Sequence, residues 1–237
     1  MENLKIIWHN QIAEDSFLKL QNLTVQYCGN LMNIFQSNML TRFQSLQKLF
    51  VDNCGSLQEI FELQEQDVRE THAVTAIPLK DLHLYRLPKM THVWNKDPQG
   101  IFNFHYLQKI YVVKCESLKT LFPASLAGFL VQLEDLQLFD CGVEEIVAHE
   151  DGAEVAARLI MFPRVTLLIL GKLPKLKWFY QGVHTSVWPL LKHLEMYRCP
   201  QIEIFASKNL SSQETVEQSQ LETSIQHPLF LVEEVRG

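Results

Sequence analysis

The chain has 237 residues, 47% of them hydrophobic, and 21 basic against 27 acidic side chains give it a formal net charge of -6. This is enough apolar material for a sizeable core, and it leaves no global basic field to hold a phosphate backbone or an anionic membrane. The longest uncharged apolar stretch, Leu121 to Val131, falls well short of the roughly 20 residues of a spanning helix, Met1 to Lys5 lacks a signal-peptide pattern, and the five cysteines form no CxxC pair. A soluble chain in a reducing, cytoplasmic setting is expected, with neither a disulfide framework nor a zinc knuckle.

In chain order the first element is a tail. Leu4, Ile7 and Trp8, followed by His9-Asn10, match Met90, Val93 and Trp94, followed by Asn95. Residues 1–16 are therefore expected to be a partial repeat whose strand is missing. The first full unit then runs through Leu20, Leu23, Val25, Cys28, Leu31, Ile34 and Phe35, and the second repeats it 26 residues later as Leu46, Leu49, Val51, Cys54, Leu57, Ile60 and Phe61. With the first leucine as position zero, apolar residues fall at plus 3, 5, 8, 11, 14 and 15. The same template fits starts at Leu79, Leu107, Leu133, Val165 and Leu191, which makes seven copies.

Two copies depart from the template. The fifth loses a residue after its cysteine, at Cys141-Gly142-Val143, and the seventh has the weakest tail, from Ile202 to Phe205. Copies three and six replace the cysteine turn with Leu87-Pro88-Lys89 and Leu173-Pro174-Lys175. Each follows a long acidic interval, Glu62 to Ala76 and Ala148 to Met161, which is expected to form a loop or helical turn on the outer face. Residues 206–226, rich in Ser, Gln, Glu and Thr, are expected to be a polar loop or disordered. Residues 227–237 turn apolar again and are read as the lead-in to a further, truncated copy.

The L-x-x-L-x-L-x-x-C core is the leucine-rich-repeat signature with cysteine where asparagine often stands. The expected fold is an α/β solenoid spanning residues 1–205. Its curved parallel β-sheet would line the concave face, with irregular turns and short helices on the outer face. Residues at plus 3 and plus 5 alternate inward on a short strand, and no copy can bury that face without a neighbour. All five cysteines hold plus 8, a position that also accepts Leu87 and Leu173, so they are expected to be buried thiols.

With repeats of this form, the chain resembles the leucine-rich-repeat region of plant intracellular nucleotide-binding disease-resistance proteins of the coiled-coil class. The most specific strings are Val93 to Gly100, the units at Leu20, Leu46 and Leu107, and Leu173 to Trp178. The resemblance implies a defence role in innate immunity. In it the repeats sense a pathogen effector or a guarded host protein and restrain the nucleotide-binding switch of a longer parent chain. No G-x-x-x-x-G-K-[ST] string occurs in this sequence. The alternative is the substrate-binding repeat region of an F-box-type ubiquitin ligase, whose usual Thr-Asp-x-Gly-Leu continuation is missing here.

No H-E-x-x-H, G-x-S-x-G or G-x-G-x-x-G occurs, and the nine histidines fall on unrelated repeat positions. The chain is expected not to be an enzyme and to take no cofactor or metal; its expected partners are proteins rather than nucleic acid. Strand residues at plus 2, 4, 6 and 7 point away from the core. They include Tyr27, Phe50, Asp52, Tyr85, Arg86, Tyr111, Lys114, Phe139, Asp140, Tyr197 and Arg198. Tyr and Arg are enriched at interaction hot spots, although strands also favour aromatics for their own sake. Copy six presents Leu167, Ile169 and Gly171 on the same side, an apolar patch.

Overall fold

A computed structural model of the chain describes residues 4–8, 13, 15–63, 75–98, 102–148, 158–181, 184–202, 205–207 and 230–232. Seven five-residue strands, Asn22–Gln26, Lys48–Asp52, Asp81–Tyr85, Lys109–Val113, Asp135–Phe139, Leu167–Gly171 and His193–Tyr197, form one parallel sheet in sequence order. Each strand begins two residues after the first leucine of its repeat, and the register pairs like positions throughout, for example Asn22 with Lys48 and Lys48 with Asp81. The architecture is a leucine-rich-repeat solenoid.

The register follows from side-chain alternation. Inward positions such as Leu49, Val51, Leu82, Leu84, Ile110, Val112, Leu136 and Leu138 are fully buried, while their strand neighbours, Asp52 excepted, are partly or fully exposed. A slip of one residue would turn this whole apolar set to water. Beyond each strand the chain turns at the plus 8 residue and comes back in a second row of short strands. Phe35–Gln36, Glu59–Glu62 and His92–Trp94 form one three-stranded sheet, and Thr120–Phe122, Glu145–Val147 and Trp178–Tyr180 another. Leu118, Leu121 and Phe122 close the coil from beneath, as their spacing implies. At plus 15 the rings of Phe35, Phe61 and Trp94 stack at centroid separations of 5.4 and 5.7 Å. Trp8 extends this ladder onto Phe35 and donates its indole N–H to the Ile34 carbonyl at 2.6 Å. The Trp8 ring thus continues the row of plus 15 rings by one more member.

The outer side carries short helices and turns, together with short strands. Among the described residues only two four-residue α-helices occur, Ser37–Leu40 and Ala124–Ala127. The ends of the two long intervals are strands: Thr75–Ala76 pairs with Phe102–Asn103, and Arg158–Met161 pairs with His184–Val187, both parallel. These lead-in segments sit at like positions in successive repeats, so their backbone groups bond in the same parallel manner as the main sheet. The middles of the intervals, residues 64–74 and 149–157, lie outside the described residues. So does most of the expected polar loop, but its start does not behave as one: Ala206 and Ser207 belong to a strand, Phe205–Ser207, that pairs with Phe230–Val232.

The short fifth turn has a steric explanation. A Cβ on Gly142 would overlap the Glu116 carbonyl of the preceding repeat, and the Gly142 N–H donates to the Cys115 carbonyl at 3.1 Å. Deleting one residue pulls the backbone against its neighbour, and only glycine fits.

Candidate recognition face

The cysteines form an internal ladder. Cys28, Cys54, Cys115 and Cys141 are buried and Cys199 is half-buried, all as free thiols. Cys54, Cys141 and Cys199 donate to the plus 5 carbonyl of the preceding repeat, at 4.0 Å to Val25, 3.6 Å to Val112 and 3.4 Å to Leu170. Burial pushes the Cys54 thiol up to about 11. A hydrogen bond to the Cys141 thiol, and then burial, hold Cys115 well above the ordinary thiol range. The same Cys115 hydrogen bond lowers the Cys141 thiol, while burial keeps both sulfurs inside the coil.

The opposite face of the seven-stranded sheet carries the candidate residues. Phe50, His83 and Tyr111 occupy plus 4 in three consecutive repeats, with Tyr85 beside them at plus 6. His83 stacks on Tyr111 at 4.6 Å, and Phe50 stacks on Tyr85 at 5.4 Å. The Tyr111 hydroxyl donates to Asp135, whose other oxygen accepts from Gln137 at 3.0 Å. Desolvation raises the Tyr111 phenol and is helped by its bond to Asp135, so the ring remains a neutral donor. Burial, and then the Lys48 charge, lower the His83 pKa.

A second cluster lies further along. The missing side chain of Gly171 leaves room for the rings of Phe139 and Tyr197, each of which would come within 2.6 Å of a Cβ placed there. Leu167 and Ile169 beside it are half-buried. The apolar patch of the sixth repeat is therefore partly roofed by aromatic rings of its two neighbours.

The eleven expected residues do not behave alike. Tyr27, Arg86, Lys114, Asp140, Tyr197 and Arg198 are exposed, Tyr27 the most at 62%. Phe50, Tyr85, Tyr111 and Phe139 are half-buried. Asp52 is a correction: it lies in the outward row but is only 3% exposed, because the Arg86 guanidinium closes over it at 2.5 Å. Its charge positions Arg86 and is not an accessible contact. Tyr85 and Tyr111 share one cluster through His83, whereas Phe139 joins Tyr197 instead.

Two features had not been expected from the sequence. His83 sits at the centre of the first cluster, a place that its position between Phe50 and Tyr111 in the plus 4 row could have signalled. The plus 7 residues Tyr27, Asn53, Arg86, Lys114, Asp140, Lys172 and Arg198 all adopt left-handed backbone, with φ between 50 and 56°. Six of these N–H groups, from Tyr27 to Lys172, donate to the plus 6 carbonyl of the following repeat, which carries the ladder one residue past the strand. No Gly marks that turn, so no residue-type signal announced it.

On the tail side, a cleft of about 310 Å³ is lined by His92, Trp94, Asn95 and Pro123 among others. Among the described residues no group of three or more His, Cys, Asp or Glu could hold a metal ion, and no helix is long and apolar enough to cross a membrane. Comparison with family models matches residues 1–142 to plant disease resistance protein RPS2-like leucine-rich repeats. No curated protein and no solved structure matches the chain.

Proposed function

The chain belongs to the RPS2-like leucine-rich repeats of plant disease resistance proteins, a protein-recognition repeat domain, and on that premise we propose that its sheet face senses a pathogen effector or a guarded host protein. In the same reading the domain works in the cytoplasm, as part of a receptor whose nucleotide-binding switch it restrains until the partner arrives. Its role is binding rather than catalysis.

The observation that carries this reading is the aromatic row itself. Phe50, His83, Tyr85 and Tyr111 stack across three repeats on a face that the core does not need, with the phenol of Tyr111 oriented by Asp135. Large, ordered, half-exposed aromatic rings give contact area at low entropic cost, the property that makes such side chains binding hot spots.

The test combines Tyr85→Ala, Tyr111→Ala and Phe139→Ala in the full receptor, read by a cell-death assay in leaf tissue alongside circular dichroism of the domain. Loss of the response, or release of autoinhibition, in a folded protein supports the reading. An unchanged response from a folded triple variant overturns it.

A further inference from the structure

We propose that the edge of the sheet at the carboxyl ends of strands three to seven is an electrostatic docking rim for an acidic segment of the recognised partner. The inference rests on the reading of the sheet face as the recognition surface and gives that partner its chemistry. In repeats three to seven, the plus 7 residues and the turns just after them expose Arg86, Lys89, Lys114, Lys172, Lys175 and Arg198 to solvent. The only acids in the same positions are Glu116 and Asp140. A local excess of positive charge on a chain of net charge -6 is a placement rather than a by-product of composition.

Three further observations support it. Among the described residues, Lys89, Lys114, Lys172 and Lys175 have no ion-pair partner, and Arg198 lies over the Tyr197 ring at 6.0 Å. Next, Arg86, Lys114, Lys172 and Arg198 hold left-handed backbone that costs an L-residue energy and that glycine would adopt freely. Tyr27, Asn53 and Asp140 hold the same backbone at plus 7, so the fold sets where these side chains project and the sequence supplies the positive charge there. Finally, the two repeats with Leu-Pro-Lys turns each present a pair at the same spacing, Arg86 with Lys89 and Lys172 with Lys175.

Glu116 and Asp140 divide the rim into two cationic groups. Lys114 and Lys172 lie two strands apart, about 10 Å at the spacing of a parallel sheet. A uniform polyanion such as a nucleic acid backbone would place phosphates against the two carboxylates in the middle. A polypeptide with two acidic clusters and a neutral gap would not.

The probe is a fluorescein-labelled peptide bearing two Glu-Glu-Glu clusters separated by three small residues, about 10 Å when extended. It is titrated into the 237-residue protein by fluorescence anisotropy. Binding should weaken progressively between 50 and 300 mM NaCl. It should fall at least tenfold in the Lys114→Gly/Lys172→Gly variant, which glycine's ease with left-handed backbone keeps folded. The control variant Lys119→Gln/Lys177→Gln removes the same charge from exposed lysines beside the tail-row strands, away from the sheet face, and should bind within twofold of the parent. Equal losses in both variants would reduce the effect to net charge and overturn the rim. Tighter binding of a 20-base-pair DNA duplex than of the peptide would also overturn it. If the aromatic triple variant silences the leaf response while Lys114→Gly/Lys172→Gly leaves it intact, the recognition face stands and the acidic partner does not.

Discussion

At the scale of single residues, the same side-chain type can sit in environments that differ only by repeat. Cys54 and Cys115 have no exposed surface, Cys28 and Cys141 little, and Cys199 is half-buried because no further strand of the main sheet flanks its repeat among the described residues. Native labelling with a thiol reagent should modify Cys199 first and leave the other four until denaturant is added. Rapid modification of two or more of the four would contradict the ladder. Gly142 gives a second residue-scale expectation: Gly142→Ala must push the fifth turn off the Glu116 carbonyl and should cost about 1–3 kcal/mol by overpacking. In a urea melt Gly55→Ala, whose Cβ would meet nothing within 4 Å, serves as the reference. Equal midpoints would show that the fifth turn relaxes freely.

At the scale of the element, strand register was legible in the sequence because burial enforces it: the leucine spacing fixed which residues face inward, and all seven strands begin where the spacing puts them. Leu107→Ala should therefore cost about 2–5 kcal/mol, while exposed Lys109→Ala should cost under about 0.5 kcal/mol. Similar urea midpoints for the two would place the strand one residue out of register. The outer strands were not legible, since two- to four-residue segments carry too little periodicity to be told from turns. Nor was Asp52: its burial depends on Arg86 from the next repeat, a contact that no spacing within one repeat encodes.

The aromatic row adds a pH expectation. The folded-state pKa of His83 is lowered, first by burial and then by Lys48; Lys109 lowers it further, and Asp81 and Asp135 oppose. An imidazole with a depressed folded pKa contributes stability that is fully present above its unfolded value of about 6.5 and is lost as pH falls through the folded value. The urea midpoint should drop between pH 7.5 and 5.5, and His83→Gln should drop less. Parallel falls in the two proteins would assign the effect to other groups, such as His92, which burial also lowers.

At the scale of the whole molecule, each main-sheet strand pairs with those of the adjacent repeats, so stability is distributed along the axis rather than held in one centre. The sequence made this legible through its period, yet it left the recognition face as a row of positions. Which rings touch, and which charges are covered, depends on side chains from two or three repeats at once. The same geometry ranks the strands. Leu82, Leu84, Ile110, Val112, Leu136 and Leu138 are covered on both sides and fully buried, whereas Leu23, Leu194 and Met196 in the flanking strands remain only partly buried. Amide hydrogen exchange of the 237-residue protein should be slowest within residues 82–84, 110–112 and 136–138 and fastest within 23–25 and 194–196, because flanking repeats open without breaking the interior ones. Leu136→Ala should accordingly lower protection across the central repeats, while Leu194→Ala changes only its own end. A uniform exchange rate along all seven strands would mean that the solenoid opens as one cooperative unit, with interface coupling stronger than the burial gradient.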